Sequence, residues 1–227
     1  MKDITLLRDR DLNMRSCAIE AAGRLEVKEL GSYLVDYLSH SKLYSITWQS
    51  LVSMGELILE NLENTFHKSG IDKIVQLRVV KAMIEIGGSK AHNYLFNKIA
   101  YHQREIRETA IAGLYNSDFD TTDKQVGVII SNLYEVCLAG AMNLAAEFTI
   151  RENDPENGLL EAMSEETKST NHLLFSLLGI AYDKSAIEHV KTSIEEKEDE
   201  DGEGRIAFFV DNKFFVIEIV RVLELFF

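Results

Sequence analysis

The residues able to do chemistry in this chain are few and scattered. Six histidines (His40, His67, His92, His102, His172 and His189) are spread along it, and none stands four residues from another. A helical zinc site needs that spacing to aim two imidazoles at one metal. These histidines are therefore expected as exposed polar residues on helices, with no metal. Asp118, Asp120 and Asp123 have the look of a calcium loop. Counting from Asp118, however, position six is Asp123 and position twelve is Ile129, where the calcium geometry demands a turn-forming Gly and a bidentate Glu. Gly87-Gly88-Ser89-Lys90 lacks the spacing of a phosphate-binding loop and reads as a helix stop followed by a cap. HExxH, GxSxG, paired CxxC and GxGxxG are absent from the sequence. No catalytic residue and no cofactor is expected. Cys17 and Cys137 both fall inside helical patterns and are expected as core thiols in a reducing compartment.

What must position any site is a set of helices. Gly23, Gly55 and Gly87 each lie 32 residues after the last, and each has a small residue five positions before it: Ala18, Ser50 and Ala82. Each glycine lies near the end of a first helix, where it serves either a left-handed C-terminal conformation or a close helix–helix approach. The sequence leaves both roles open. Asp9, Asp11 and Asn13 offer capping chemistry at the first start. Leu30, Leu34 and Leu38 form one apolar stripe. Ile46, Ser50 and Met54 form the next, followed by Ile58, Leu62 and Phe66. From Ile71 come Val75, Val79, Ala82 and Ile86, then Leu95 and Ile99; Ile106, Ala110 and Leu114 open a fourth pair, where the register slips, since Ala110 lies 28 residues after Ala82. The stripes predict amphipathic helices. A single Pro and 13 Gly argue against a turn-rich β architecture.

Past Tyr115 the pattern changes. Asn116–Asp123 reads as a polar loop, and the apolar positions from Val126 to Phe148 as a longer helix broken at Asn153-Asp154-Pro155. One or two helices are expected over Leu159–Ala181 and another over Ser185–Glu196. The acid-rich stretch Glu195–Glu203 reads as a solvated loop. Phe215, Ile219, Val222/Leu223 and Phe226 keep helical spacing in the last segment. No leader is expected at the start of the sequence, since MKDITLLRDRD has no long apolar core. No stretch approaches the ~20 apolar residues of a membrane span, the nearest being Ile206–Phe227.

The segments from Asp11 to Gly23 (with Arg15 and Ala18) and from Arg107 to Leu114 (with Ala110) resemble the first helices of HEAT repeats. Thr47 and Val79 depart from that pattern where an Arg is expected, with Arg78 one position off. The resemblance implies an all-α fold, an α-α superhelix built as a HEAT-like solenoid of stacked helical hairpins. It would span residues 1–227 as one domain, regular over 9–115 and less regular over 116–227. It implies a non-catalytic protein-interaction or scaffold module with a concave surface lined by second helices. The register aligns Tyr33 with Thr65 and Asn97, and Tyr37 with Ser69 and Tyr101. Tyr33, Tyr37, Asn97 and Tyr101 are therefore the candidate binding residues; tyrosines covering the seam between helices, with their hydroxyls in water, are the alternative. The Phe-rich last segment is a second candidate contact.

The net charge of −13 disfavours nucleic acid. The expected partner is a protein, the expected location cytoplasmic, and no direct membrane insertion is expected. Leu173–Asp183 with Val210-Asp211-Asn212 more faintly resembles soluble HEAT regions attached to bacterial nucleotide-transporter-like membrane proteins. That resemblance implies a cytoplasmic regulatory region of a larger chain. A third reading is an enzyme on a HEAT-like scaffold, of DNA-glycosylase or lyase type; the acidic balance argues against the glycosylase.

Overall fold

A computed structural model describes residues 4–154 and 156–200. Among these the chain is all-helical, with ten α-helices joined by short 3-10 turns and no strand. It divides into two compact units, Met1–Phe119 and Asp120–Phe227.

In the first unit the helices are α1 (Leu12–Arg24), α2 (Gly31–Asp36), α3 (Tyr44–Ser53), α4 (Leu59–Phe66), α5 (Lys73–Ile86), α6 (Gly88–Phe96) and α7 (Arg104–Tyr115). Asp11 starts α1 by accepting the Asn13 N–H at 2.9 Å. Asp72 does the same for α5 through the Ile74 N–H at 2.7 Å. Each satisfies an amide that a helix N-terminus leaves without a partner. The helices pack in two rows. In the first, α1 lies on α3, α3 on α5 and α5 on α7; in the second, α2 lies on α4 and α4 on α6. The apolar stripes face this packing: Leu34, Leu38, Leu51, Met54, Ile58, Leu62, Phe66, Val79, Ala82, Leu95, Ile106, Ala110 and Leu114 are all buried. Each such side chain contributes about 1.5–3 kcal/mol relative to staying in water, alanine less. The second helix of the first pair is less smooth than its leucine stripe predicts. It is a 3-10 turn (Lys28–Leu30), then α2, then a 3-10 turn (Tyr37–Ser39).

The three evenly spaced glycines do two different jobs. Gly23 is helical, and a Cβ there would lie 2.7 Å from Ser50 Cβ and 2.8 Å from Ser50 Cα. It is the point where α1 meets α3. Gly55 and Gly87 sit at φ +57° and +65° with open space around them, so their duty is conformational. Gly87 ends α5 and directly precedes α6. Ser89 lies inside α6, which has no side-chain cap, so the expected serine cap is replaced by the glycine turn.

In the second unit, α8 (Asp123–Asn153) opens with a capping box in which Thr122 and Gln125 each satisfy the other's backbone N–H. It ends where the sequence reading placed the break; Pro155 lies outside the described residues. Leu159–Ala181 is one helix, α9, and α10 runs over Lys184–Glu200. Helices α8 and α9 are antiparallel. Thr121 Oγ1 donates to the Ile180 carbonyl at 3.4 Å, and further along Asn143 Nδ2 donates to the Met163 carbonyl (3.1 Å) and Thr167 Oγ1 (2.8 Å). Helix α10 packs on α9.

Three expectations are corrected. The acid-rich stretch expected as a loop from Glu195 continues as helix to Glu200, because Glu and Lys are strong helix formers whatever their charge; 201–203 lie outside the described residues, as does the expected helix over Ile206–Phe227. Cys17 is exposed, and only Cys137 is buried: Cys17 occupies the outward column shared with Gln49 and Lys81, which are exposed too. Finally, α8 is long and apolar enough by length and composition to cross a membrane, although the sequence reading found no such stretch.

Candidate functional site

The densest polar constellation among the described residues lies where α4, α5 and α6 meet. Lys98 stands in the turn after α6, only 1% exposed. Its Nζ donates to Glu63 Oε2 at 2.5 Å and to the Tyr94 carbonyl at 3.1 Å, and lies 4.4 Å from the centre of the Phe66 ring. Glu63 comes from α4 and retains some contact with solvent. Its other oxygen faces His67 Nε2 at 3.1 Å. Gln76 of α5 is buried and donates through Nε2 to the Phe66 carbonyl and to the Tyr101 hydroxyl, both at 3.1 Å. The Tyr101 ring stands edge-on to Phe66 at 5.0 Å.

Burial pushes the Lys98 ammonium below the ordinary lysine range, and the Glu63 hydrogen bond and charge only partly restore it. A lysine with a lowered pKa is the usual form of an amine nucleophile. Here the amine is closed off, with its donors aimed at a carboxylate and a carbonyl, so no substrate atom reaches it. The arrangement can hold α6 against α4; it cannot take part in group transfer as it stands.

Arg78 of α5 makes a second bridge. Its guanidinium lies 3.9 Å from the Tyr44 ring centre and donates to the Leu38 carbonyl at 2.5 Å. Two exposed ion pairs join residues 32 apart in sequence: Asp36–Lys68 at 3.3 Å and Lys73–Glu105 at 2.7 Å.

The four residues expected to form a binding face stand in different surroundings. Tyr33 is half-buried, with the Arg8 guanidinium 5.6 Å from its ring centre. Tyr37 donates its hydroxyl to the Leu7 carbonyl. Asn97 is exposed at the end of α6, and Tyr101 belongs to the Gln76–Phe66 cluster. Tyr37 and Tyr101 thus bond to protein atoms, where the seam alternative put their hydroxyls in water. The described contacts do not join the Tyr33/Tyr37 pair to the Asn97/Tyr101 pair. His92 is buried, not exposed, with its ring 5.7 Å from that of Phe119. Among the described residues no three His, Cys, Asp or Glu side chains gather as a metal site would require.

Sequence reasoning missed Lys98, Glu63 and Gln76. The signal for Lys98 was present in the 32-residue register, which puts it in the column of Leu34 and Phe66, both fully buried. A lysine in an apolar column must either snorkel to water or find an acid. No family model and no curated protein matches this chain.

Proposed function

We propose that the first unit is a HEAT-like array of stacked helix pairs, and that it works as a non-catalytic protein-interaction scaffold. The observation that carries this reading is the in-register bridging. Asp36–Lys68 and Lys73–Glu105 each connect residues 32 apart in sequence. Long side chains reach one another at a constant interval when each pair is placed beside the next by the same step. The two-row order of packing supports the same architecture. The buried lock of Lys98 on Glu63 supports a structural use of this lowered-pKa amine over a catalytic one.

A preformed helical surface binds without the entropy of ordering loops. The exposed residues of the second row, Asp36 and Asn97 among them, together with the half-buried Tyr33, make up the proposed contact face. Tyr37 is unsuited to test it, because its hydroxyl is bonded to Leu7. The test is affinity capture with the intact protein against a Tyr33→Ala/Asn97→Ala variant of matched helical content. A partner held through this face is recovered by the wild type and lost from the variant. Equal recovery removes the face from consideration.

A further inference from the structure

We propose that two copies of this chain meet through the outward face of α8, each α8 lying antiparallel to the other about a two-fold axis at Leu138. Three neighbouring columns of a seven-residue repeat make up that face, and every residue in them is exposed. The middle column is Lys124, Ser131, Leu138, Ala145 and Glu152. Gly127, Tyr134, Ala141 and Phe148 flank it on one side, and Val128, Glu135, Met142 and Thr149 on the other. Leu138 and Met142 are 64% and 67% exposed. Glu135 is the one charged residue among the exposed positions from 128 to 148. The opposite face of the same helix carries buried Ile129, Leu133, Cys137 and Gly140. A contiguous apolar stripe of this kind marks a contact surface. Columns repeating every seven residues stay in line where two helices supercoil. From Lys124 to Glu152 the stripe runs about 42 Å.

The charges name the occupant. The middle column begins with Lys124 and ends with Glu152, each 14 residues from Leu138. A second copy laid antiparallel sets Lys124 opposite Glu152 at both ends, Ser131 opposite Ala145, and Leu138 opposite itself. The small side chains of Ser131 and Ala145 let the two helices come close. On one flank Tyr134 stands over Ala141 of the second copy. A parallel copy would set Lys124 on Lys124 and Glu152 on Glu152, which like-charge repulsion disfavours. A patch that complements itself when turned by half a revolution is what a two-fold interface requires. The two end charges also stand where their own helix disfavours them. Lys124 lies in the first turn of α8 and Glu152 in the last, against the sense of the helix dipole. An opposite charge from the second copy offsets both. A lipid surface is the poorer match, because a chain of net charge −13 is repelled by an anionic leaflet and Glu135 sits within the stripe.

The test uses the full chain. Light scattering at micromolar concentration is expected to give twice the chain mass, and Leu138→Asp to give a monomer of unchanged helical content. Lys124→Glu is expected to weaken association about tenfold, and Lys124→Glu with Glu152→Lys to restore it. Both changes put a charge at the helix end that favours it, so the loss and the rescue do not come from unfolding of α8. Cross-linking supplies a second measurement, in a Cys17→Ser/Cys137→Ala background. Leu138→Cys is expected to form a disulfide between copies on mild oxidation. Ser131→Cys alone is not, because its two thiols lie about 21 Å apart along the axis, yet it should link to Ala145→Cys in a mixture of the two chains. These links stand even if the aspartate variant fails to fold. A chain that stays monomeric overturns the proposal, and so does a dimer that Leu138→Asp leaves intact. Ser131→Cys linking to itself shows parallel pairing and overturns it too. Monomers that pair only after truncation at Glu203, or that use this face only on phosphatidylcholine–phosphatidylglycerol vesicles, assign it to the chain's own last residues or to lipid, and equally overturn it.

Discussion

Lys98 shows how one side chain can change the character of an apolar column. Placed in line with Leu34 and Phe66, it brings a charge into a region where the ammonium loses most of its hydration. Glu63 offsets that loss. Removing the acid alone is therefore expected to be worse than removing both: Glu63→Ala should lower stability by about 3 kcal/mol, whereas Glu63→Leu with Lys98→Met should stay near wild type or exceed it. Urea denaturation measures both. The pH dependence has a definite sign. Burial holds the folded-state pKa of Lys98 below its unfolded value, so the unfolded chain binds the extra proton over the interval between them. Stability should rise with pH through that interval, toward the unfolded lysine value of about 10.4. A pH series of urea midpoints should show the rise in wild type and lose it in Lys98→Met. The helix stripes were legible from periodicity alone, because burial repeats with the helical turn. The site was not, because a partner such as Glu63, on another helix, has no local signature in sequence.

Among the elements, the glycines separate what spacing had merged. Gly23→Ala should force apart α1 and α3, where Ser50 already fills the space, at a cost of about 1–3 kcal/mol. Gly127 lies in α8 with nothing within 4 Å of an added Cβ; Gly127→Ala should stabilise by about 0.5–1 kcal/mol through helix propensity. Thermal melts of the two variants should move in opposite directions. The sequence could not tell a packing glycine from a turn glycine, since both end a first helix and both recur at the same interval. Only the neighbour decides: Ser50 for Gly23, open space for Gly55 and Gly87. The boundaries of α8 and α9 were easier to read, because the polar run Asn116–Asp123 and the break at Asn153-Asp154-Pro155 punctuate the chain there.

For the whole molecule, the division at Phe119 and Asp120 falls within the polar loop that the sequence marks as a change of pattern. Residues 1–119 produced alone should keep their helical circular dichroism and unfold cooperatively. A protease with broad specificity should cut the intact chain first between Asn116 and Thr122, before any cut inside α1–α7. Loss of helix in the isolated fragment would show that the two units depend on each other. The joints between successive helix pairs carry a further consequence. Asp36–Lys68 fastens the first pair to the second, Glu63–Lys98 the second to the third, and Lys73–Glu105 the third to α7. No two joints use the same columns in the same way. On the proposed array reading the pairs are not interchangeable: a chain with its pairs shuffled or one excised would set Asp36 against Ala100 or leave Lys98 facing no acid. Of these joints only the buried Glu63–Lys98 one would cost much to break.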